Sequence, residues 1–146
     1  MQLFVAAKAV ITNDLGQVLV LKEQVSEEGT NAEKWGLPGG RLNLGERFLN
    51  GLAREVMEET GLVVKVGYPV MVGEWHPVIK GEERQIIAVF VACKAESSAK
   101  IFLSEEHDDF KWITEENISH LIFMQPDDEV IQRYFSNPEA FFKEGA

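Results

Sequence analysis

The stretch from Gly40 to Leu62, GRLNLGERFLNGLAREVMEETGL, constrains this chain more than any other. From Phe48 to Thr60 there is no proline and a single glycine, Gly51. Leu49, Leu52, Ala53 and Val56 recur at helical spacing and predict one apolar stripe. Gly61 stands where a left-handed cap would end the helix. An amphipathic helix closing near Thr60 follows. Glu55, Glu58 and Glu59 lie at i, i+3 and i+4, on one face of its last two turns, where the macrodipole is negative. Carboxylates there cost roughly 0.3–1 kcal/mol each when exposed, and like charges four apart about 0.2–0.5 kcal/mol more. Arg54, one turn before Glu58, is the only local cation. An acid cluster with so little compensation points to a divalent cation, for which carboxylate oxygens are the natural ligands. The plainer reading is a solvated acidic face.

The surroundings of the helix decide between the two. Upstream is a glycine-rich loop, Trp35-Gly36-Leu37-Pro38-Gly39-Gly40. Gly40, Glu46, Arg54-Glu55, Glu58-Glu59 and Gly61 then follow in the order and spacing of the Nudix box, with aliphatic residues at Val56 and Leu62. The chain therefore resembles the Nudix hydrolase family, in particular its small MutT-like members. The resemblance implies an α/β/α sandwich in which the box helix packs against a mixed β-sheet. It also implies hydrolysis of a phosphoanhydride in a nucleoside diphosphate linked to another group, with Mg²⁺ as the usual metal and Mn²⁺ as the second choice.

Carried onto this sequence, the family pattern makes Glu55, Glu58 and Glu59 the metal-binding glutamates, with either Glu58 or Glu55 as general base. Gly40 would offer its backbone carbonyl to a metal, and Gly39 and Gly40 let the backbone come close. Arg54 would orient the glutamates. Glu46 points away from Glu55 on an ideal helix and is better suited to the helix start. Trp35 and Pro38 suit packing. Some small members of the family are also similar over Ser104 to Trp112 (SEEHDDFKW), where an acid adds a metal ligand or acts as base. Glu106 matches best, with Glu105 and Asp108 as alternatives and an acidic surface loop as the plainer reading. His107 is expected in the loop rather than on a metal, and Trp112 in the core. Gly39, Arg41 and Lys22 are the candidates for contact with substrate phosphate, although solubilisation explains the two cations equally well.

A chain of 146 residues with 45% apolar residues suits a single domain, 1–146, with a real core. The net charge of −10 argues against a nucleic-acid duplex or an anionic membrane as partner. It conflicts with a polyphosphate substrate unless bound metal inverts the local field. The lone cysteine, Cys93, excludes an internal disulfide and is expected in a buried strand. The N-terminus lacks the form of a signal peptide and no apolar run approaches a membrane span, so a cytoplasmic protein is expected. A homodimer is compatible with these features.

Leu3–Thr12, interrupted by Lys8, and Gln17–Lys22 read as a hairpin around the turn Asn13-Asp14-Leu15-Gly16. Glu23 to Glu33 reads as a loop. Leu62 to Trp75 is β-rich, bent or split by Gly67 and Pro69. Lys80-Gly81-Glu82-Glu83 is a turn before a central strand, Gln85–Cys93, and Phe110–Ile113 is a short strand. A helical turn starts at Thr114. A last helix runs from Asp127 and breaks at Asn137-Pro138, with a further turn around Phe141.

The substrate is less legible. The short chain and the Glu-His-x-x-Phe-x-Trp segment lean towards a nucleoside triphosphate, intact or damaged, giving monophosphate and pyrophosphate. ADP-ribose is the alternative, because its enzymes tend to carry a proline about where Pro77 stands beyond the box. A nucleotide-sensing module without turnover is a third reading, disfavoured by the full acid set. Trp75 and Tyr68 are candidates for stacking on a base, with core packing as the plainer role.

Overall fold

The computed structural model describes residues 1–24, 33–96 and 98–142. Its frame is a mixed sheet of eight strands: β1 (Gln2–Thr12), β2 (Val18–Glu23), β3 (Trp35–Gly36), β4 (Gly39–Arg41), β5 (Lys65–Trp75), β6 (Val78–Ile79), β7 (Glu82–Lys94) and β8 (His107–Ile113). The central order is β3-β2-β1-β7-β5, with β4 paired to β1, β6 to β7 and β8 to β2. Among the named strands of the described residues only β1 and β7 pair in parallel, over the whole span from Gln2↔Arg84 to Thr12↔Lys94. Two helices complete the fold, α1 (Phe48–Thr60) and α2 (Asp127–Ser136).

Strand β1 is apolar on both sides because it is covered on both faces, which a half-exposed strand would not be. Ala7, Ala9 and Ile11 join Leu19, Leu21, Val91 and the α1 residues Leu52 and Val56 in one core. Ala6 and Val10 join Val18, Val20, Phe90 and the α2 residues Val130, Ile131 and Tyr134 in the other. This is the α/β/α sandwich that the box implied. Lys8 does not interrupt the strand; it lies buried within it.

The helix spans Phe48–Thr60 as the pattern predicts, and Gly61 caps it at φ +73° while its N–H donates to the Met57 carbonyl. The stripe, however, is rotated. Leu52 and Val56 are fully buried, whereas Leu49 is 56% exposed and Ala53 also faces out. The sheet-facing line runs Phe48–Leu52–Val56–Glu59/Thr60, so a polar residue continues the apolar row where the pattern counted only hydrophobes. Gly51 is buried because the side chains of Leu42 and Glu46 lie against it, where a Cβ would collide with both.

Elsewhere the boundaries move slightly. Strand β5 begins at Lys65, not Leu62, and bends through register shifts on both sides of Pro69. Glu23 belongs to β2, and residues 25–32 of the expected loop lie outside the described residues. His107 opens strand β8 instead of sitting in a loop, because it pairs with Glu23. Lys80 and Gly81, both at positive φ, form the predicted turn between β6 and β7. Thr114 and Asn117 cap a 3₁₀ turn at Glu115–His120, and Asn137-Pro138 ends α2 before a second one at Pro138–Phe141. Cys93 is buried in β7, and Trp112 packs on the edge of the α1 core. Among the described residues no helix is long and apolar enough to cross a membrane.

The rotated stripe has a direct test. Leu52→Ala should cost about 2–5 kcal/mol in urea unfolding, the range for emptying a packed core site, and Leu49→Ala less than about 0.5 kcal/mol. Equal losses would mean that α1 packs on the face its sequence pattern suggested.

Candidate active site

The glycine-rich segment is tied on both sides. The Pro38 carbonyl accepts the Ala9 N–H at 2.9 Å, and Leu37 N–H donates to Asp127 Oδ2 at 2.8 Å. Gly39 N–H donates to Glu59 Oε1 at 2.8 Å. Gly39 adopts φ +140°, and a Cβ there would strike the Ala7 carbonyl and the Lys8 backbone, so no other residue fits. At Gly40 a Cβ would stand 2.5 Å from Glu55 Oε2. The missing side chain thus leaves room for a carboxylate against the backbone.

The three helix acids do not share one environment. Glu59 is buried, Glu55 is half-buried and Glu58 is exposed. Glu59 is pushed up to about 7, first by burial and further by Glu55, although His107, the Gly39 N–H and Lys8 all favour its charged form. Burial also raises Glu55, with Glu58 and Glu106 adding to the rise and Arg54 opposing it. Repulsion within the cluster is therefore the smaller effect; loss of water dominates.

Nor is the cluster uncompensated, as its sequence suggested. Arg54 bonds Glu46 Oε2 through Nε at 2.7 Å, Glu55 Oε1 through Nη1 at 2.9 Å and Glu58 Oε2 through Nη1 at 3.2 Å. Its Nη2 reaches the Arg41 carbonyl at 3.2 Å. Glu46 accepts the Asn43 N–H at 3.0 Å ahead of the helix, the helix-start role expected of it. The Arg54 guanidinium holds the Glu46 carboxyl down at about 2.

A cleft of about 750 Å³ opens beside these residues. Glu23, Gly39, Gly40, Glu55, Glu59 and Glu106 line it. Phe4, Lys8, Arg41, Trp75 and Asp127 line it as well. Glu106 thus joins Glu55 and Glu59 from another part of the chain, while Glu105 and Asp108 do not line the cleft. Glu58 and Lys22 do not line it either. Arg41 does, with its guanidinium 4.3 Å from the Phe4 ring centroid.

Two groups to which the sequence assigned no part in the site stand beside it. His107 is buried, 3.5 Å from Glu23 Oε1. Burial pulls its pKa down, but Glu23, Glu59 and Glu106 outweigh that and raise it. Lys8 pairs with Asp127 at 2.7 Å, both buried. The one signal for Lys8 was a charge inside an otherwise apolar strand.

Among the described residues no group of three or more histidine, cysteine, aspartate and glutamate side chains stands close enough to cage a metal ion. The donor set nonetheless fits a hard cation. Glu55, Glu59 and Glu106 offer oxygen only, two of them poorly solvated, beside a glycine backbone with space for an ion's ligands.

The sequence model described as NUDIX domain matches residues 2–134. A "MutT-like protein" of Streptomyces ambofaciens is 33% identical over 115 residues, covering 79% of this chain and 66% of the relative, just under two thirds of its length. The crystal structure of a MutT protein from Methanosarcina mazei superimposes with a TM-score of 0.76 at 29% identity, over 92% of this chain and 94% of that one. A MutT NUDIX hydrolase from Burkholderia pseudomallei gives 0.70 at 21% identity, over 91% and 98%, a likeness of fold.

The buried carboxyl of Glu59 predicts an inverted pH dependence for the metal-free protein. An acid raised from 4.5 to about 7 holds its proton more tightly folded than unfolded. Stability is therefore unaffected below the unfolded value, falls as pH rises between the two, and stays reduced above about 7. The full loss is on the order of 3 kcal/mol. His107, raised above 6.5, adds a loss of the same sign as it deprotonates. Glu59→Gln keeps an acceptor for Gly39 N–H and should be more stable than wild type at pH 8, with a flatter curve from pH 5 to 7, in urea melts with EDTA. An unchanged curve would show that Glu59 is not the source.

Proposed function

The chain belongs to the NUDIX domain family, and from that premise we propose a metal-dependent pyrophosphohydrolase that cleaves a nucleoside triphosphate, intact or damaged, to monophosphate and pyrophosphate. The observation that carries it is the convergence of Glu55, Glu59 and Glu106 on one cleft that Gly39 and Gly40 also line. We assign the whole chain to this one hydrolase domain. Glu55, Glu58, Glu59, Glu106 and the Gly40 carbonyl would hold Mg²⁺, or Mn²⁺ in its place. Such an ion polarises a phosphoryl oxygen and acidifies a bound water.

The protein's own groups divide the remaining work. Glu55 is the better placed general base: it lines the cleft, and burial raises its pKa towards the range where a base works. Glu58 is solvent-facing and acts from the rim. Arg54 spans Glu46, Glu55 and Glu58 and fixes where the latter two carboxylates point. Arg41, at the mouth, is the cation available to a phosphate. Pro77, the one feature that favoured ADP-ribose, stands at the base of the β6–β7 hairpin, where its carbonyl accepts the Arg84 N–H at 2.9 Å. ADP-ribose stays as the competing outcome.

The test is a panel of nucleoside triphosphates and ADP-ribose with Mg²⁺, with pyrophosphate and phosphate scored separately. Pyrophosphate should appear and EDTA should abolish it. Glu55→Gln and Glu59→Gln should each lower kcat by about 10²–10⁴, and Glu58→Gln by less. Glu106→Gln should lose much more than Glu105→Gln. Full turnover in EDTA removes the metal site, and a much larger kcat/KM for ADP-ribose replaces the substrate.

A further inference from the structure

Arg41 and Arg84 are cations without an acid. Arg41 is exposed and Arg84 half-buried, and among the described residues neither guanidinium forms an ion pair. With 24 acids in the chain against 14 lysines and arginines, a guanidinium should find a carboxylate easily. Both come instead to one aromatic ring. Their guanidinium carbons lie 4.3 and 5.6 Å from the Phe4 centroid. Arg84 Nε is buried and has no hydrogen-bond acceptor among the described residues. A buried donor in that state calls for an explanation.

The sheet register explains how the three side chains meet. Phe4 of β1 stands opposite Ile86 of β7, and Arg84 precedes Ile86 by two residues, on the same face. On the other side of β1, Arg41 of β4 stands opposite Ala6, two residues after Phe4 and again on that face. One guanidinium therefore approaches Phe4 from each neighbouring strand. Glu83 belongs to the opposite face of β7, where it meets His76. Glu82 lines the same recess as Arg84 but makes no ion pair with it among the described residues. Phe4 and Arg41 also line the cleft that Glu55, Glu59 and Glu106 line. Gly40, the neighbour of Arg41 on β4, stands against Glu55. The Arg41 carbonyl accepts Arg54 Nη2 at 3.2 Å, and Arg54 Nη1 bonds Glu55 at 2.9 Å. The two arginines are thus tied to the acid cluster through one short strand.

A planar guanidinium stacked on a ring keeps its fork of N–H donors free, and that fork matches the oxygens of a phosphate. The edge of an aromatic ring is the positive end of its quadrupole, so it does not oppose an anion placed there. One arginine would serve any phosphate. Two that share a ring, with no carboxylate between them, suit the most highly charged part of a ligand. We infer that Arg41 and Arg84 form one anion site, with Phe4 as its platform, for the terminal phosphate of a nucleoside triphosphate. The site deepens the proposed reaction and rests on it. It makes the length of the phosphate chain a criterion of selection. ADP-ribose carries no terminal phosphate and would leave this site unfilled.

Equilibrium binding to the metal-free protein tests this independently of turnover. ATP, ADP and AMP share base and sugar, so their ratios report the phosphates alone. Inorganic tripolyphosphate and phosphate are the probes without a nucleoside. ATP should bind about 10- to 100-fold more tightly than ADP, the range for hydrogen bonds to charged groups, and tripolyphosphate more tightly than phosphate. In Arg84→Gln and in Arg41→Gln the ATP/ADP ratio should fall to about one, with AMP unaffected. Arg84→Lys keeps the charge without the fork and should restore the ratio only part-way. With Mg²⁺, both Gln variants should raise KM for a triphosphate more than they lower kcat, as loss of a binding contact does. Where Arg84→Gln fails to fold, Arg41→Gln, at an exposed position, gives the same reading. Equal wild-type binding of ATP and ADP overturns the site, as does a ratio preserved in either folded Gln variant. An equal loss of ATP, ADP and AMP makes the pair a general phosphate ligand and overturns the assignment. So does the lack of any measurable binding of ATP and tripolyphosphate. A protein that shows the binding ratio but releases no pyrophosphate would refute the proposed reaction and leave the anion site standing.

Discussion

The hydrogen bond from Gly39 N–H to Glu59 Oε1, 2.8 Å long, joins the two halves of the site, and the rest of the local structure follows from it. It draws the end of α1 onto the glycine segment. That approach needs small residues underneath, and Ala7 and Ala9 of β1 are both fully buried there. It also needs Gly39 at φ +140° against the Ala7 carbonyl. With Glu59 fixed inward, helical geometry leaves no choice for its neighbours. Glu55 stands one turn back against Gly40, and Glu58 is rotated about 100° away towards solvent. One buried acceptor therefore sorts three identical side chains into three environments.

That sorting comes with a charge problem, which Arg54 only partly relieves. Its guanidinium serves Glu46, Glu55 and Glu58. Glu59 has no part in that network and instead has Gly39 N–H, Lys8 and His107. Those partners do not overcome its burial, so the carboxyl stays far above its ordinary range. A group kept in an environment that disfavours its charge is one that a divalent ion would suit. The same imbalance explains why the cluster looked unsupported in the sequence. Arg54 had been noted, but the reach of a single guanidinium to three carboxylates depends on Glu46 folding back from ahead of the helix.

How far the sequence could be read follows from the range of each interaction. The helix limits, the Gly61 cap, the Lys80-Gly81 turn and the break at Asn137-Pro138 are set by neighbours a few residues apart, and all are visible in the pattern. The buried face of α1 was not, because Leu49 and Ala53 fit the helical period as well as Leu52 does. Only the tertiary position of Glu59 sets the rotation. His107 was read as a loop residue because its partner Glu23 is far away in sequence and pairs with it only across β2 and β8. The gathering of Glu106 with Glu55 and Glu59 was expected from family resemblance alone; no periodicity encodes it. Lys8 and Asp127 are the extreme case. Each looks like an ordinary charge where it stands, one at a strand centre and one at a helix start, and only the packing of α2 on β1 makes them a pair.

The overall charge of −10 then takes on a different meaning. It looked unsuited to a polyanionic substrate, but net charge describes the long-range field, and the cleft within it carries both signs. Glu55, Glu59 and Glu106 line it together with Arg41, which lies over Phe4, and with a lysine cancelled by an aspartate. Ladder pairing between β1 and β7 holds Lys8 in place, since it cannot shift without breaking register along the whole of β1. The Lys8–Asp127 pair is thus held by the central parallel pair of strands, while Glu55 and Glu59 are presented by the end of the helix packed against it.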